Sequence, residues 1–241
     1  MIDTKGLCPV AIGCTGGSGS RMLRDILEAS PRIFMDQDCS PNSKDSQKSK
    51  TFVDLIEAAP ETLVALIEEF WLTILEQIPA QEMARYQYFG WKSPPNLRHL
   101  DVLLQAHPKL RFLHLIRDPA ALARGNQQRK VFKRKVMYGD IAPEADRDEF
   151  VLARWARQNL AAWERHKNNP RYLLVRYEDI INKPEKTVRW IFDWLGITEF
   201  SMSKAFAAIN PPEDASTRGN EVDISSIADA AKQLGYEYRL S

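Results

Sequence analysis

Residues 7–27, LCPVAIGCTGGSGSRMLRDIL, set three kinds of segment end to end. LCPVAIG is an apolar run of strand length, with Pro9 suited to its first turn or to an edge because proline cannot donate to a ladder. CTGGSGS is made almost wholly of small residues. The helix that follows brings Met22, Leu23, Ile26 and Leu27 onto one face. A strand, a glycine-rich turn and a helix start make an anion nest. Glycines let backbone N–H groups converge, and the positive end of the helix favours negative charge.

The nest lacks the usual lysine. Counted from Gly13 against the nucleotide-loop pattern GxxxxGK[ST], Ser18 takes the last glycine position and Gly19 takes the lysine. Ser18 and Ser20 offer hydroxyl donors instead. Arg21, one residue into the helix, is the nearest cation, and its fork suits a phosphate or sulfate. The same residues also suit a plain tight turn with a surface arginine.

Short apolar runs and helical stretches alternate through the rest of the chain. Strands are expected at RIFM (32–35), RFLHLI (111–116) and YLLVRY (172–177). Helical patterns fill 52–78, 81–88, HLDVLLQAH, the stretch from Pro119 with Asp118 as its cap, 148–167, Pro184 to a stop at Gly196, and 224–234. FGWKSPPNL (89–97) reads as irregular, ended by its double proline. DQDCSPNSKDSQKSK (36–50) reads as a mobile loop and 210–223 as a Pro/Gly-rich one. Together these imply an α/β fold over a single domain, 1–241: a three-layer parallel β-sheet with helices on both faces. Ligands in such folds bind beyond the carboxyl ends of the strands. The loops 13–21, 117–126 and 176–184 leave strands there.

Composition removes several classes of partner. Lys+Arg 33 against Asp+Glu 32 gives a net charge of +1, which supports neither a nucleic-acid nor a membrane-surface role. No apolar run reaches the length of a membrane span. Three cysteines, Cys8, Cys14 and Cys39, are an odd count without metal-ligand spacing, which fits a reducing cytoplasm. Nothing in the sequence speaks to oligomeric state.

Outside the nest, four groups carry candidate chemistry. Arg117 leaves a strand end at the same sheet edge as the nest, though an Arg–Asp turn also explains it. Lys92, in GWKSP, sits between an aromatic and a rigid proline pair, a place from which to stabilise charge on a leaving group; an exposed lysine beside a packed tryptophan reads equally well. Glu178 and Asp179 are paired carboxylates suited to catalysis or to capping. His114 alternates with apolar positions and reads as a core histidine.

TGGSGSR, LHLIRDP, GWKSP and YLLVRYEDIINKPEKTVRWIFDWLGI, in this order, resemble the sulfotransferases that use 3′-phosphoadenosine 5′-phosphosulfate, in particular their bacterial and Golgi-like branches. The helix with Trp155 and Asn159 fits the same pattern, and the resemblance runs over about residues 8–197. It implies sulfuryl transfer to a hydroxyl of a small molecule, carbohydrate or lipid, with 3′,5′-adenosine bisphosphate as product and no metal. It assigns Gly16, Gly17, Ser18, Gly19, Ser20 and Arg21 to the 5′-phosphosulfate and Lys92 to the bridging oxygen. Arg117 goes to the 3′-phosphate, Asn126 stands in for a serine, and Arg218 lies in a loop that closes over the same phosphate.

The chain departs from the family in two places. Gly17 stands where many relatives have Lys or Arg, and Gly125 where they have a serine eight residues past the 3′-phosphate arginine. For the general base the resemblance points to the end of the second strand, at Asp36. The acceptor side is expected from the 36–50 loop and a helical region over 52–90, where Phe70, Trp71, Tyr86, Tyr88, Phe89 and Trp91 are core rings or an acceptor wall. Two other readings stand beside this one: a P-loop kinase using ATP and magnesium on a small metabolite, and a catalytically inactive nucleotide-binding relative.

Overall fold

In the computed structural model, which describes residues 4, 6–36, 60–127, 147–210 and 222–237, five strands form one parallel sheet. They are β1 (Cys8–Cys14), β2 (Ile33–Asp36), β3 (Tyr88–Lys92), β4 (Arg111–Ile116) and β5 (Tyr172–Arg176), in the order β2-β3-β1-β4-β5. The described helices are α1 (Ser20–Leu27), α2 (Pro60–Leu75), α3 (Leu100–Ala106), α4 (Pro119–Gln127), α5 (Arg147–His166), α6 (Tyr177–Asn182), α7 (Pro184–Leu195), α8 (Met202–Ala207) and α9 (Ala228–Gln233), with 3₁₀ turns at Ala80–Arg85, Pro94–Leu97 and Ser225–Ile227. Among the described residues, no helix is long and apolar enough to cross a membrane.

The sheet is covered on both faces, the arrangement that the sequence implies. Alternate residues of the strands face opposite ways. Val10, Ile12, Leu113, Leu115 and Val175 join α1 and α7 in one core, while Ala11, Phe89, Trp91 and Phe112 join α2 and α3 in the other. A third apolar cluster ties α4 and α5 to the segment 222–236. From β1 the chain builds β2 and β3 on one side and then crosses to β4 on the other. The carboxyl end of β1 is therefore the topological switch point, where such sheets bind ligands.

Pro9 lies in the central strand, neither on an edge nor in a turn. Its place is tolerated because β4 begins pairing only at Val10, while Cys8 donates to Gln87 on the β3 side. The nitrogen of Pro9 therefore points to where no strand yet stands.

Strand β3 is the main departure from the sequence reading. A helix expected over 81–88 is a 3₁₀ turn ending at Arg85, and the last residue of that expected helix, Tyr88, joins 89–92, read as irregular, in a strand that pairs with both β1 and β2. The helical region expected over 52–90 therefore ends in a strand; its residues 52–59, like 37–50 of the expected loop, lie outside the described ones. YFGWK shows no alternation because its first four residues are all buried. Gly90 is required there, since a Cβ would stand 2.4 Å from Val10 Cγ1 on the neighbouring strand.

Candidate active site at the carboxyl end of the central strand

The turn between β1 and α1 is held from within. Gly17 (φ 102°) and Gly19 (φ 90°) take left-handed backbone that other residues rarely adopt. Gly19 is the N-cap of α1, offers no side-chain oxygen, and no acid lies in the first turn. The first N–H groups of α1 thus receive no side-chain cap, at the carboxyl end of the central strand. Arg21 is exposed on that turn.

The serines do not behave as expected. Ser18 is fully buried and donates its hydroxyl to the Thr15 carbonyl at 2.7 Å, so it closes the turn and does not face the crevice. Ser20 hydrogen-bonds the buried Cys14 thiol. Burial pushes that thiol up to about 11, while Ser20, Lys92 and Arg154 act in the opposite direction.

Arg117 leaves β4 and joins the nest directly. Its Nη1 donates to the Gly17 carbonyl at 3.2 Å, and its guanidinium lies 4.4 Å from the centre of the Tyr177 ring. Tyr177 in turn sits so close to Gly19 that a Cβ there would be 2.7 Å from the ring. The Nε atoms of Arg117 and Arg124 are buried without a hydrogen-bond partner among the described residues. The loop carrying Arg117 is fixed by its neighbours. Trp155 Nε1 donates to the Arg117 carbonyl (2.9 Å), and Asp118 Oδ1 caps α4 through the Ala121 N–H (2.6 Å). Glu178, open in sequence between catalysis and capping, accepts from the Asp118 N–H at 2.8 Å and from the Tyr236 hydroxyl at 2.9 Å. It is a structural tie.

Lys92 ends β3 beside Ile12 of β1, half-buried and near enough to Cys14 for its charge to favour the thiolate. The turn after it is locked by a residue that the sequence did not single out. Asn96 donates to the Ile12 carbonyl at 2.9 Å and accepts from Trp91 Nε1 at 3.0 Å. Its only signal in sequence is an amide between two prolines and a leucine.

Asp36 ends β2 opposite Trp91 and is 2% exposed. Adjacent strand ends hold Asp36 and Lys92, but strand alternation sends Asp36 to the Trp91 face and Lys92 to the other. Asp36 also lines a cavity of about 570 Å³ along β2, with Phe34, Arg85, Tyr86 and Lys204. This cavity lies along an edge strand and not at the switch point. Of the six rings named for the acceptor side, Phe70, Trp71, Tyr88, Phe89 and Trp91 are core, and Tyr86 alone is half-exposed. Asn126 is in the last turn of α4, its side chain outside the described residues, as is Arg218.

His114 is a core residue, as expected. It is fully buried between Tyr172 Oη (2.5 Å from Nδ1) and Asn159 Oδ1 (2.8 Å from Nε2), and burial lowers its pKa to about 4.

Comparison with known proteins meets this geometry. The chain is 26% identical over 156 residues to omega-hydroxy-beta-dihydromenaquinone-9 sulfotransferase Stf3 of Mycobacterium bovis and of Mycobacterium tuberculosis. The match covers 62% of this chain but only 38% of those proteins, so the chain spans about two fifths of the curated relatives' length. The sulfotransferase STF9 of Mycobacterium avium superposes with a TM-score of 0.62 at 12% identity, over 96% of this chain and 78% of that one. Mouse sulfotransferase SULT7A1, solved in complex with PAP, gives 0.53 at 18% identity, over 86% and 64%. The Sulfotransferase family profile matches residues 9–201, a span that holds the nest, Lys92, Arg117 and all five strands except the first residue of β1, and the chain belongs to that family.

Proposed function

We propose that this protein transfers a sulfuryl group from 3′-phosphoadenosine 5′-phosphosulfate to a hydroxyl. One observation carries the reading: Arg117, delivered by β4, bonds the Gly17 carbonyl, so that the uncapped start of α1 and the β4 exit share one cationic crevice. The buried Nε atoms of Arg117 and Arg124, without hydrogen-bond partners among the described residues, fit a phosphate. The bisphosphate in the mouse relative supports the same class of ligand.

The donor supplies the sulfuryl group and a nucleotide leaving group. The chain's own residues bind and orient it. Backbone N–H groups of Gly19 to Arg21 and the Arg21 side chain meet the 5′ end. Arg117, with Arg124 of the following helix α4, meets the 3′-phosphate. Lys92 donates toward charge that develops on the leaving oxygen, a contact that raises the rate only if it is stronger in the transition state. Gly17, where many relatives carry a cation, leaves Lys92 as the principal donor. Asp36, buried on the sheet face opposite Lys92, stands away from this chemistry. The acceptor is a hydroxyl, the group that the names of the mycobacterial relatives give for those proteins.

Calorimetry separates this reading from a kinase. Adenosine 3′,5′-bisphosphate is expected to bind without metal, and ATP with magnesium to bind far more weakly. The reverse order, or no binding of the bisphosphate, would sink the proposal.

A further inference from the structure

The peptide unit that joins Arg117 to Asp118 is held at both of its polar ends. Its carbonyl accepts from Trp155 Nε1 at 2.9 Å, and its N–H donates to Glu178 Oε1 at 2.8 Å. The two holders come from different elements, Trp155 from α5 and Glu178 from the first turn of α6. They meet at a third residue, distant from both in the chain. Tyr236 donates its hydroxyl to Glu178 Oε2 at 2.9 Å, and its ring packs edge-on to Trp155 with ring centres 5.8 Å apart.

Tyr236 is itself firmly seated. It is 5% exposed and belongs to the apolar cluster that ties the segment 222–236 to α4 and α5. Its N–H donates to the Ala231 carbonyl at 2.8 Å. Arg176, at the end of β5, sets its guanidinium 4.2 Å from the ring centre and donates from Nη1 to the Gly235 carbonyl at 2.6 Å. Burial first, and then the Glu178 carboxylate, push the pKa of the hydroxyl up, so it stays protonated and donates. A buried hydroxyl needs a partner, and the partner here is the same carboxylate that fixes the Asp118 N–H.

A fixed peptide plane sets the backbone rotation on either side of it, and with it the direction in which the Arg117 side chain leaves the chain. That side chain has to reach both the Gly17 carbonyl and the ring of Tyr177, the residue before Glu178. Without the Tyr236 hydroxyl, a half-buried carboxylate oxygen loses its donor and is drawn to other partners. We infer that Tyr236 is a positioning residue for the nucleotide site. Through Glu178 and Trp155 it holds the Arg117–Asp118 peptide, so that recognition of the 3′-phosphate depends on the segment 222–237. The inference rests on the sulfuryl-transfer reading, which gives Arg117 that phosphate. Tyr236 acts through its neighbours and not on the nucleotide.

Calorimetry on the whole chain compares adenosine 3′,5′-bisphosphate with adenosine 5′-phosphate. The ratio of the two affinities measures what the 3′-phosphate adds. Tyr236→Phe keeps the ring and removes the hydroxyl. Its bisphosphate affinity is expected to fall about fivefold while its 5′-phosphate affinity stays at the parent value. Trp155→Phe removes the donor at the other end of the same peptide and is expected to lower the ratio in the same way. A parent-like ratio in Tyr236→Phe, whether both affinities fall together or only the melting temperature moves, overturns the inference and leaves Tyr236 as packing. A parent-like ratio in Trp155→Phe also overturns it, since the peptide would then not be the route. Those failures leave the sulfuryl-transfer reading standing. A parent protein that binds the two nucleotides equally removes the assignment of Arg117 itself, and the inference with it.

Discussion

The guanidinium of Arg117 lies 4.4 Å above the ring of Tyr177, and that ring leaves no room for a side chain at Gly19. One tyrosine thereby couples the arginine of β4 to the turn that follows β1. Contacts of this cation–ring type contribute about 0.5–2 kcal/mol, more as water is excluded. Arg117→Ala is expected to cost about 2 kcal/mol in binding adenosine 3′,5′-bisphosphate and much less in binding adenosine 5′-phosphate, as calorimetry would show. Equal losses would mean that Arg117 only braces the Gly17 carbonyl.

Gly19→Ala meets two penalties at once. The left-handed backbone costs roughly 1–2 kcal/mol with a Cβ present, and the new carbon would stand 2.7 Å from Tyr177 Cδ2. Thermal unfolding should move down, and bisphosphate binding should fall with it. Adding Tyr177→Leu should recover part of the stability, because only the collision is relieved. A Gly19→Ala protein as stable as the parent would show that the turn adapts freely.

Lys92→Ala separates binding from turnover. If Lys92 meets charge that appears only as the leaving group departs, kcat falls about 100-fold with little change in nucleotide affinity. A loss confined to affinity would make Lys92 a ground-state contact.

Gly125→Ser restores the residue type that relatives carry. A Cβ at Gly125 has nothing within 4 Å among the described residues, so the substitution fits there without displacement. Helix propensity should add a few tenths of a kcal/mol to stability. A new hydroxyl on the 3′-phosphate should tighten bisphosphate binding by about 1 kcal/mol. Unchanged affinity would place Gly125 away from that phosphate.

His114 gives stability a pH dependence of known sign. Its pKa is about 4 in the folded protein against 6.5 ordinarily, so between these values the unfolded chain binds more protons. Its contribution is fully present above pH 6.5 and is lost as pH falls toward 4, by roughly 3 kcal/mol in all. His99 and His107 are lowered by burial in the same direction. Melting temperatures between pH 7 and 4 should therefore fall less steeply in His114→Gln, though not become flat. An unchanged slope would assign the loss to other groups.

The sequence by itself determined the α/β architecture, four of the five strands, the glycine-rich turn between the first strand and helix, and the placement of Arg117 at a strand end. Those features are written in local chemistry: apolar runs of strand length, helical periods, glycines in a turn, and charges just past a strand. Strand β3 was hidden because a strand buried on both faces shows no alternation, and because its central glycine answers to Val10, a residue far away in the chain. The hydroxyls of Ser18 and Ser20 were legible as donors, but only tertiary structure showed that the first is turned to Thr15 and the second to Cys14. Only the register of β2 on β3 separated Asp36 from Lys92 across the sheet. Arg154, Arg157 and Arg165 on one face of α5 came beside Arg98 only through packing, for residues distant in sequence meet only where the fold brings their elements together.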